Sequence, residues 1–396
     1  MEGSSNHTAD KRNKGMNMKA WIVTSLAAGS LAVAGAGSAA DITVMTQNQY
    51  LGADIAPLVD PSKDFNEEVL KAFLQIAANK PAERIAALAA EIVKESPHLV
   101  GLQEVFGFSC QPQELCSLLP PELSGAFNDH LALTETALGD SYTFVAQVTN
   151  LDVTLPFPLY EGGPSVYISV IDRDVILARS DVRAVPLDPS VVAATCSKPS
   201  DDGCNYVAVL PLPAGLGGNI ERGWVAALAS VNDRRYLFVN THLETREPFP
   251  YFQGTQARQL VATLQALAPR SPPIILVGDF NSDPNDTTFL PTPPAPFPQF
   301  PPVSNPYVQL TAARLNDAWL FRPGNVPGLS CCQAADLSNH NSQVYERIDL
   351  IWSSEVPRKV KDARVVGETV NFKTKPQGRG LWPSDHGAVV ATLQFR

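Results

Sequence analysis

Short apolar runs, separated by polar, proline-rich and glycine-rich segments, recur along most of the chain. Many of these runs stop at a polar or turn-forming residue, which is typical of buried strands. The predicted strands are 42–45, 99–102, 142–148, 166–171, 175–178, 224–231, 235–240, 274–278, 347–352, 360–366 and 387–394. Predicted strands therefore extend over the whole chain beyond residue 41 and outnumber the predicted helices.

Apolar residues recur at helical spacing in a few segments. The predicted helices cover residues 64–79, 82–95 and 255–267. The residues expected to face the core are Ile85, Leu88, Ala89, Ile92 and Val93 in the second helix and Leu260, Leu264 and Leu267 in the third. Many strands with few helices predict a protein of mixed α and β structure.

Two long stretches show neither pattern. Residues 184–222 are rich in Pro, Gly and Asp, and residues 291–302 are rich in Pro, so both are predicted to be surface loops. Neither is expected to be a linker, because predicted strands lie on both sides of each. With no internal repeat in the sequence, residues 41–396 are expected to form a single domain.

The N-terminus has the pattern of an export signal. Four basic residues precede a run of apolar and small residues, 21–36, and Ser38, Ala39 and Ala40 then supply small side chains for a signal peptidase. We expect residues 1–40 to be removed near Ala40, which makes the mature protein secreted or periplasmic. The alternative is a single membrane anchor, although the run lacks the Leu and Ile density of a spanning helix.

All six cysteines follow this segment, and an even number in an exported chain favours disulfides. Close spacing suggests the pairs Cys110–Cys116 and Cys196–Cys204. The adjacent Cys331 and Cys332 either bond to each other or bond elsewhere. A zinc site is the alternative, but no C-x-x-C pair or histidine cluster accompanies these residues.

The composition is that of a globular, acidic protein. Of its 396 residues 44% are hydrophobic and 18% are charged, and the net charge is −10. Lys and Arg form no cluster outside the extreme N-terminus, which disfavours tight, nonspecific binding to long nucleic acids. Acidity does not exclude a nuclease, because a bound metal and a few local cations can offset phosphate repulsion.

Carboxylate, amide and imidazole residues lie at the ends of several predicted strands. They are Glu104, His242, Asp279, Asn281, Asp349, Asp385 and His386. Any one of them has an ordinary explanation as a turn former, cap or surface residue. Together they are more specific, because sheets of this kind bind ligands beyond the ends of their strands.

These residue types suit the hydrolysis of a phosphate ester. Mg²⁺ prefers hard oxygen ligands, which Glu104 supplies. Asp279 can accept a proton from an attacking water that Asn281 orients. His242 and His386 can donate to phosphate oxygens as negative charge develops, and a neighbouring carboxylate such as Asp349 or Asp385 can fix the tautomer of a histidine.

Six ordered motifs resemble those of the endonuclease/exonuclease/phosphatase superfamily, whose fold is like that of DNase I. The motifs are Thr46-Gln47-Asn48, Gly101-Leu102-Gln103-Glu104, Asn240-Thr241-His242-Leu243, Gly278-Asp279-Phe280-Asn281, Arg347-Ile348-Asp349 and Ser384-Asp385-His386. The resemblance implies an α/β (α+β) fold in which two packed, mixed β-sheets are flanked by helices in a four-layer sandwich. The segments 331–337 and 346–349 are most similar to exported bacterial members.

The resemblance also implies a role for each residue. Glu104 is the main metal ligand, with Asp385 and Asn48 as further metal-site residues, and the implied ion is Mg²⁺, Mn²⁺ or Ca²⁺. The implied catalytic residues are His242, Asp279, Asn281, Asp349 and His386. In some family nucleases an acidic residue lies two positions after the first Asn, whereas Tyr50 occupies that position here. This departure argues against a second metal site.

Two functions from different classes fit the sequence. The first is a secreted, divalent-metal-dependent phosphoesterase acting on a nucleic acid, a phospholipid head group or a small phosphoester, with no stable protein partner. The second is a catalytically silent binding module that has kept the DNase I-like fold. The aromatic segment 249–252 either meets a lipid surface or packs within a loop, and loop packing is favoured.

Overall fold

The computed structural model describes residues 41–60, 62–160, 162–212, 218–292, 300–375 and 380–395. The predicted export signal, residues 1–40, lies outside the described residues, as does much of the proline-rich segment 291–302. None of the helices in the described ranges is long and apolar enough to cross a membrane.

Strands dominate the described chain. In chain order they are β1 (Asp41–Asn48), β2 (Leu99–Gln103), β3 (Gly107–Gln111), β4 (Tyr142–Pro158), β5 (Ser165–Arg179), β6 (Arg183–Pro186), β7 (Pro199–Ser200), β8 (Gly203–Asn205), β9 (Leu210–Pro211), β10 (Asn219–Ile220), β11 (Gly223–Val231), β12 (Arg234–His242), β13 (Ile274–Asp279), β14 (Phe289–Leu290), β15 (Val303–Ser304), β16 (Asn316–Asp317), β17 (Asp349–Ser353), β18 (Lys359–Val366) and β19 (Ala388–Gln394). The α-helices are α1 (Phe65–Ala78), α2 (Pro81–Glu95), α3 (Gln113–Cys116), α4 (His130–Leu138), α5 (Pro250–Leu267) and α6 (Pro306–Ala312).

Two mixed sheets contain most of these strands. Sheet A has the order β18-β19-β1-β2-β5-β3, with β4 also paired to β5, and sheet B has the order β16-β17-β13-β12-β11-β8-β7, with β6 paired to β11. Pairing is parallel between β1 and β2 and between β12 and β13, and the other ladders are antiparallel. The remaining described strands form two minor two-stranded sheets.

The sheets pack face to face, and helices cover their outer faces. Alternation along β12 shows this arrangement, because Phe238 joins the core between the sheets whereas Leu237 and Val239 face α5 and α6. On sheet A, Met45 and Val100 pack outward against α2 and α4. A strand buried on both faces has a continuous apolar sequence, which is why these runs are visible in the sequence. The predicted four-layer fold is confirmed.

A buried amide connects the two sheets beneath their polar end. Asn240 on β12 donates from Nδ2 to the carbonyls of Leu102, at 2.8 Å, and Val175, at 3.0 Å, both on sheet A. Its Oδ1 accepts from Gln103 Nε2 at 2.6 Å. Gly101 leaves room for this contact, since a Cβ there would lie 2.6 Å from Asn240 Oδ1. Two of the sequence motifs therefore include residues that fix one sheet against the other.

One strand crosses a polar interruption that the sequence pattern treats as a break. The predicted strands 166–171 and 175–178 are parts of the single strand β5, which passes through Asp172, Arg173 and Asp174. All three side chains are buried. Arg173 Nη2 donates to Asp129 Oδ1 at 2.6 Å, and Asp172 Oδ2 lies 3.7 Å from Arg222 Nη1.

The predicted inner face of α2 is wrong at one position. Val93 is 47% exposed, whereas Glu91 is only 4% exposed. The buried face of α2 includes Arg84, Leu88 and Glu91. Arg84 holds this face of the helix inward by donating to backbone carbonyls of neighbouring loops.

Further differences lie in irregular segments. The predicted loop 184–222 contains short strands, among them β6 and β8, which pair with β11. Helix α5 begins at Pro250 rather than at residue 255, so the aromatic segment 249–252 lies at the start of a helix and not in a loop. Phe252 packs on Phe300 within the protein. The structure forms the two predicted disulfides and joins Cys331 to Cys332. With no free thiol among the described residues, the zinc alternative is not supported.

Candidate active site

The two sheets end at a shared polar cleft with a cavity volume of about 380 Å³. Six of the eight predicted site residues line it: Glu104, His242, Asp279, Asn281, Asp385 and His386. The other two, Asn48 and Asp349, lie behind this wall and hydrogen-bond to Glu104 and His386. All eight side chains therefore form one connected cluster, and their individual roles remain predictions.

Glu104 immediately follows β2, where the backbone has a φ of 54°. Its Oε2 accepts from the backbone N–H of Leu51 at 2.8 Å, and its Oε1 accepts from Asn48 Nδ2 at 3.0 Å. The same Nδ2 lies 3.1 Å from Asp279 Oδ2 on the other sheet. These contacts fix the carboxylate of Glu104 at the cleft and tie it to Asp279.

Asp279 ends β13, and the parallel register pairs it with His242 at the end of β12. Its Oδ1 accepts from the backbone N–H of Asn281 at 2.9 Å. Burial and the negative charge of Asp349 raise the pKa of Asp279 to about 7, although the charge of His386 opposes this shift. A carboxyl group with such a pKa can both accept and release a proton near neutral pH.

His242 is buried beside an arginine that determines its tautomer. Arg222 Nη1 lies 3.0 Å from His242 Nδ1. A guanidinium can only donate, so Nδ1 accepts and the ring proton sits on Nε2. Burial, followed by the positive charges of Arg222 and His386, lowers the pKa of His242 well below its usual value. His242 is therefore a neutral donor whose Nε2 lies 3.6 Å from Asp279 Oδ2.

His386 has the opposite electrostatic environment. Its Nδ1 donates to Asp349 Oδ2 at 2.8 Å, and Ser330 Oγ donates to the same oxygen at 2.6 Å. Burial alone lowers the pKa of His386, but the carboxylates of Asp349, Asp385 and Asp279 outweigh burial and raise it well above its usual value. Its Nε2 lies 3.8 Å from Asp279 Oδ2. The cleft thus holds one neutral and one protonated imidazole, both near Asp279.

Asp385 reaches the cleft from the segment before β19, and its side chain is 16% exposed. Burial raises the pKa of Asp385 to about 6, although the charge of His386 opposes this shift. Tyr50, at the position where some family nucleases have an acid, is buried and donates from its hydroxyl to the carbonyl of Ala335 at 3.0 Å.

Arg222 is a site residue that the motifs did not indicate. Besides contacting His242, it lies 3.5 Å from Glu244 and 3.7 Å from Asp172, and its side chain lines the cleft. A signal was present in the sequence. The tight turn at Asn232 and Asp233 fixes the register of β11 against β12. Extending this residue-by-residue pairing away from the turn places Arg222 beside the end of β12.

Arg84 is the second residue missed, and it positions the loops of the site. From α2 its Nη1 donates to the carbonyls of Gln49, at 3.0 Å, and Pro383, at 2.7 Å. It thereby joins the loop after Asn48 to the segment that carries Asp385. No sequence signal indicates this role, because a single Arg within a helix is usually exposed.

The oxygen donors of the cleft fit a hard divalent cation. Glu104 and Asp385 both face the cavity with carboxylates, the ligand type that Mg²⁺ and Ca²⁺ prefer. Two groupings of His, Cys and Asp are close enough to chelate among the described residues, and neither includes Glu104 or Asp385. In these groupings Asp349 is bonded to His386 and Ser330, and Cys331 and Cys332 form a disulfide. Glu104 and Asp385 could hold a cation at the cleft, and their role as metal ligands stays a prediction.

A two-sheet sandwich with this polar cleft is a phosphoesterase-type fold, and the sequence comparison agrees with that class. Residues 65–386 match the profile of the Endonuclease/Exonuclease/phosphatase family. The chain belongs to this family, whose members are generally phosphoester hydrolases that typically use divalent metals. Comparison with curated protein sequences gives no significant match.

Solved structures agree in fold. An endonuclease/exonuclease/phosphatase family protein from Bacteroides thetaiotaomicron is 17% identical, with a TM-score of 0.50 over 91% of this chain and 99% of that chain. One from Beutenbergia cavernae is 21% identical, with a TM-score of 0.47 over 90% and 72% of the respective chains. Truncated TDP2 from Caenorhabditis elegans is 14% identical, with a TM-score of 0.46 over 89% and 97%.

Proposed function

We propose that the protein is an exported, divalent-metal-dependent phosphoesterase in which Asp279 activates the attacking water. The observation that carries this proposal is the convergence of Asp279 with two differently protonated histidines, all buried at the wall of one cleft. A binding module needs no carboxyl group of near-neutral pKa held between two imidazoles, whereas hydrolysis does.

Each side chain has a task that follows from its surroundings. The water transfers a proton to Asp279 as its oxygen bonds to phosphorus, and Asn281 orients that water. His242 donates from Nε2 and protonated His386 donates from its own Nε2 to the phosphate oxygens as negative charge builds up. Asp349 keeps His386 oriented and charged. A cation held by Glu104 and Asp385 would neutralise phosphate charge and stabilise the leaving oxygen.

Export of residues 41–396 as one mature domain is part of the proposal. It is supported by the N-terminal pattern and by the pairing of all six cysteines. Intact-mass analysis of material recovered from outside the cytoplasm tests it. The expected mass lacks residues 1–40 and six cysteine hydrogens. A mass that retains the first 40 residues, or six titratable thiols, contradicts export in this form.

Metal dependence is tested with purified mature protein and a panel of phosphoesters, namely plasmid DNA, RNA, a phospholipid, an inositol phosphate and bis-4-nitrophenyl phosphate. We expect turnover with Mg²⁺, Mn²⁺ or Ca²⁺ and none in excess EDTA. Saturation with Mg²⁺ at 100 times its Kd adds about 2.7 kcal/mol to the free energy of unfolding. Glu104→Gln should lose both the turnover and most of this stabilisation.

Glu247→Gln is the matched control, because Glu247 lines the same cleft without contacting the site carboxylates. It should keep the metal response of the wild type. Full activity in EDTA would overturn the role of the metal. Metal-dependent stabilisation with no turnover on any substrate would favour the silent binding module instead.

A further inference from the structure

A second, almost entirely apolar cavity opens beside the polar cleft. It holds about 160 Å³ and lies between α1, the outer half of β4 and the facing part of β5. Its apolar lining comes mainly from Val69, Ala72 and Phe73 on α1 and Leu151, Val153 and Leu155 on β4. Among the described lining residues the polar ones are Glu104, Asp172 and Arg222, and they lie together: Glu104 and Arg222 also line the polar cleft, and Asp172 lies 3.7 Å from Arg222.

Continuity with the polar cleft makes this cavity part of the same site. Glu104 and Arg222 line both spaces. Leu51, whose backbone N–H donates to Glu104, also lines the apolar cavity, as does Phe106, two residues after Glu104. A phosphate group held near Glu104 and Arg222 therefore lies at the mouth of the cavity. A substituent on that phosphate has a direct path into it.

The strand that forms one wall has a sequence suited to this task. Along β4, Leu151, Val153 and Leu155 are half-buried and face the cavity, while Asp152 and Thr154 between them are exposed. Strict alternation of this kind normally marks a face that packs on a core. Here the apolar face borders a cavity that no described side chain fills, so among the described residues it lacks some of the contacts that a filled core supplies.

We propose that the cavity binds an unbranched alkyl chain carried by the phosphoester substrate. This inference rests on the proposed phosphoesterase function and specifies its substrate class, an amphiphilic ester with its phosphate in the polar cleft. Away from Glu104, Asp172 and Arg222, the described lining of the cavity offers an alkyl chain burial and offers a sugar or base no hydrogen bonds. A nucleic acid would therefore leave it empty.

The test uses a series of 4-nitrophenyl alkyl phosphates with methyl, butyl, hexyl and octyl groups, each below its critical micelle concentration. Water attacks phosphorus, the bond to the 4-nitrophenyl oxygen breaks, nitrophenolate leaves, and the proton of the water passes to Asp279. The alkyl group stays on the phosphate. In the wild type kcat/KM should rise by up to about fourfold per added methylene until the cavity is full.

Two variants separate cavity binding from a general preference for apolar esters. Val153→Trp fills the cavity, so it should abolish the dependence of kcat/KM on chain length and lower kcat/KM for the longer esters toward that for the methyl ester. Thr154→Trp places the same side chain on the exposed face of β4 and should keep the wild-type dependence. Val153→Ala enlarges the cavity and should move the plateau to longer chains, which keeps the test valid if Val153→Trp fails to fold.

The experiment distinguishes failure of the proposed alkyl site from failure of the proposed phosphoesterase function. Hydrolysis of every ester at one rate, or a chain-length dependence that survives in Val153→Trp, overturns the alkyl site and leaves the phosphoesterase intact. A preference for plasmid DNA or RNA over the octyl ester also overturns it. Absence of hydrolysis of any ester in the presence of metal refutes the phosphoesterase proposal itself.

Discussion

At the scale of single residues, the site separates three titratable groups by their surroundings. Asp279 and His386 both have raised pKa values, whereas the pKa of His242 is lowered. The opposite pKa shifts of the two histidines come from their partners, since His242 faces Arg222 and His386 faces Asp349. Two side chains of the same type are thus placed in one cleft as a neutral and a charged imidazole.

Removing any of these groups should remove most of the activity. Asp279→Asn loses the base, which contributes roughly 10²–10⁴-fold. His242→Ala and His386→Ala each lose a donor, at a cost of roughly 10²–10³ in kcat. The double histidine variant should lose less than the product of the single effects, because the groups act as a unit. Circular dichroism and melting midpoints near those of the wild type would exclude misfolding, and near-normal kcat in one variant would refute that residue's role.

Asp349→Asn tests a positioning role. An amide keeps the shape but not the charge that holds His386 protonated, so kcat should fall about 10- to 100-fold. The apparent pKa of His386, followed by NMR, should fall as well, which a purely structural role would not cause. Asp283→Asn is the control, because Asp283 lines the same cleft but bonds to the backbone of Arg347. An unchanged pKa of His386 in Asp349→Asn would contradict this role.

At the scale of elements, close backbone approach determines one motif residue. A Cβ at Gly278 would lie 2.0 Å from the carbonyl oxygen of Thr241 on the neighbouring strand β12. The glycine therefore lets β13 pair closely with β12 just before Asp279. The sequence motif is thus partly a requirement of the sheet rather than of the chemistry.

Gly278→Ala should separate the ends of these two strands. We expect a loss of at least 2 kcal/mol in the free energy of unfolding, as for other overpacked cores, and a loss of activity because Asp279 moves. Gly125→Ala is the control, since a Cβ there meets its nearest neighbour at an ordinary 3.6 Å. Urea unfolding of both variants gives the comparison. Equal stability would mean that the two strands can relax apart at no cost.

Helix α2 carries a buried acid that makes stability depend on pH. Burial, followed by the charge of Glu368, raises the pKa of Glu91 from 4.5 to about 8. Between these values the unfolded chain releases the proton while the folded protein keeps it. Stability therefore falls as pH rises from 4.5 to 8, by up to about 1.4 kcal/mol per pH unit, and levels off above pH 8.

Glu91→Gln should flatten this dependence and make the protein more stable than the wild type at pH 8. Denaturant unfolding at a series of pH values from 5 to 8 measures the free energy of unfolding and its dependence on pH. Glu83→Gln, on the exposed face of the same helix, should keep the wild-type slope. If both variants have that slope, Glu91 is not the group responsible.

At the scale of the whole molecule, the two sheets are joined by Asn240. Replacing it with Ala leaves Gln103 and the carbonyls of Leu102 and Val175 without their partner. We expect a loss of roughly 2–4 kcal/mol in the free energy of unfolding. Asn285→Ala, at an exposed turn, should cost far less. A small effect of Asn240→Ala would show that water replaces the amide.

The fold and the candidate site differ in how much the sequence reveals. Strands such as β12 and β13 were predictable because burial on both faces gives continuous apolar runs. The site motifs were predictable because each follows or precedes such a run. Long-range polar contacts were not predictable from the sequence. No feature of the residues around Arg84 or Glu91 indicates that these two side chains are buried. The interruption in β5 was misread because the partners of Asp172 and Arg173 lie far away in sequence.

The arrangement of the first and last strands has a consequence for when activity can arise. β1 lies between β2 and β19, so the strand that carries Asn48 pairs with the strand that follows His386. A nascent chain that has not yet reached β19 therefore lacks the antiparallel partner of β1 as well as Asp385 and His386. The cleft is complete only when residues from both ends of the described chain have docked, so the proposed hydrolysis would begin only after synthesis of the last strand.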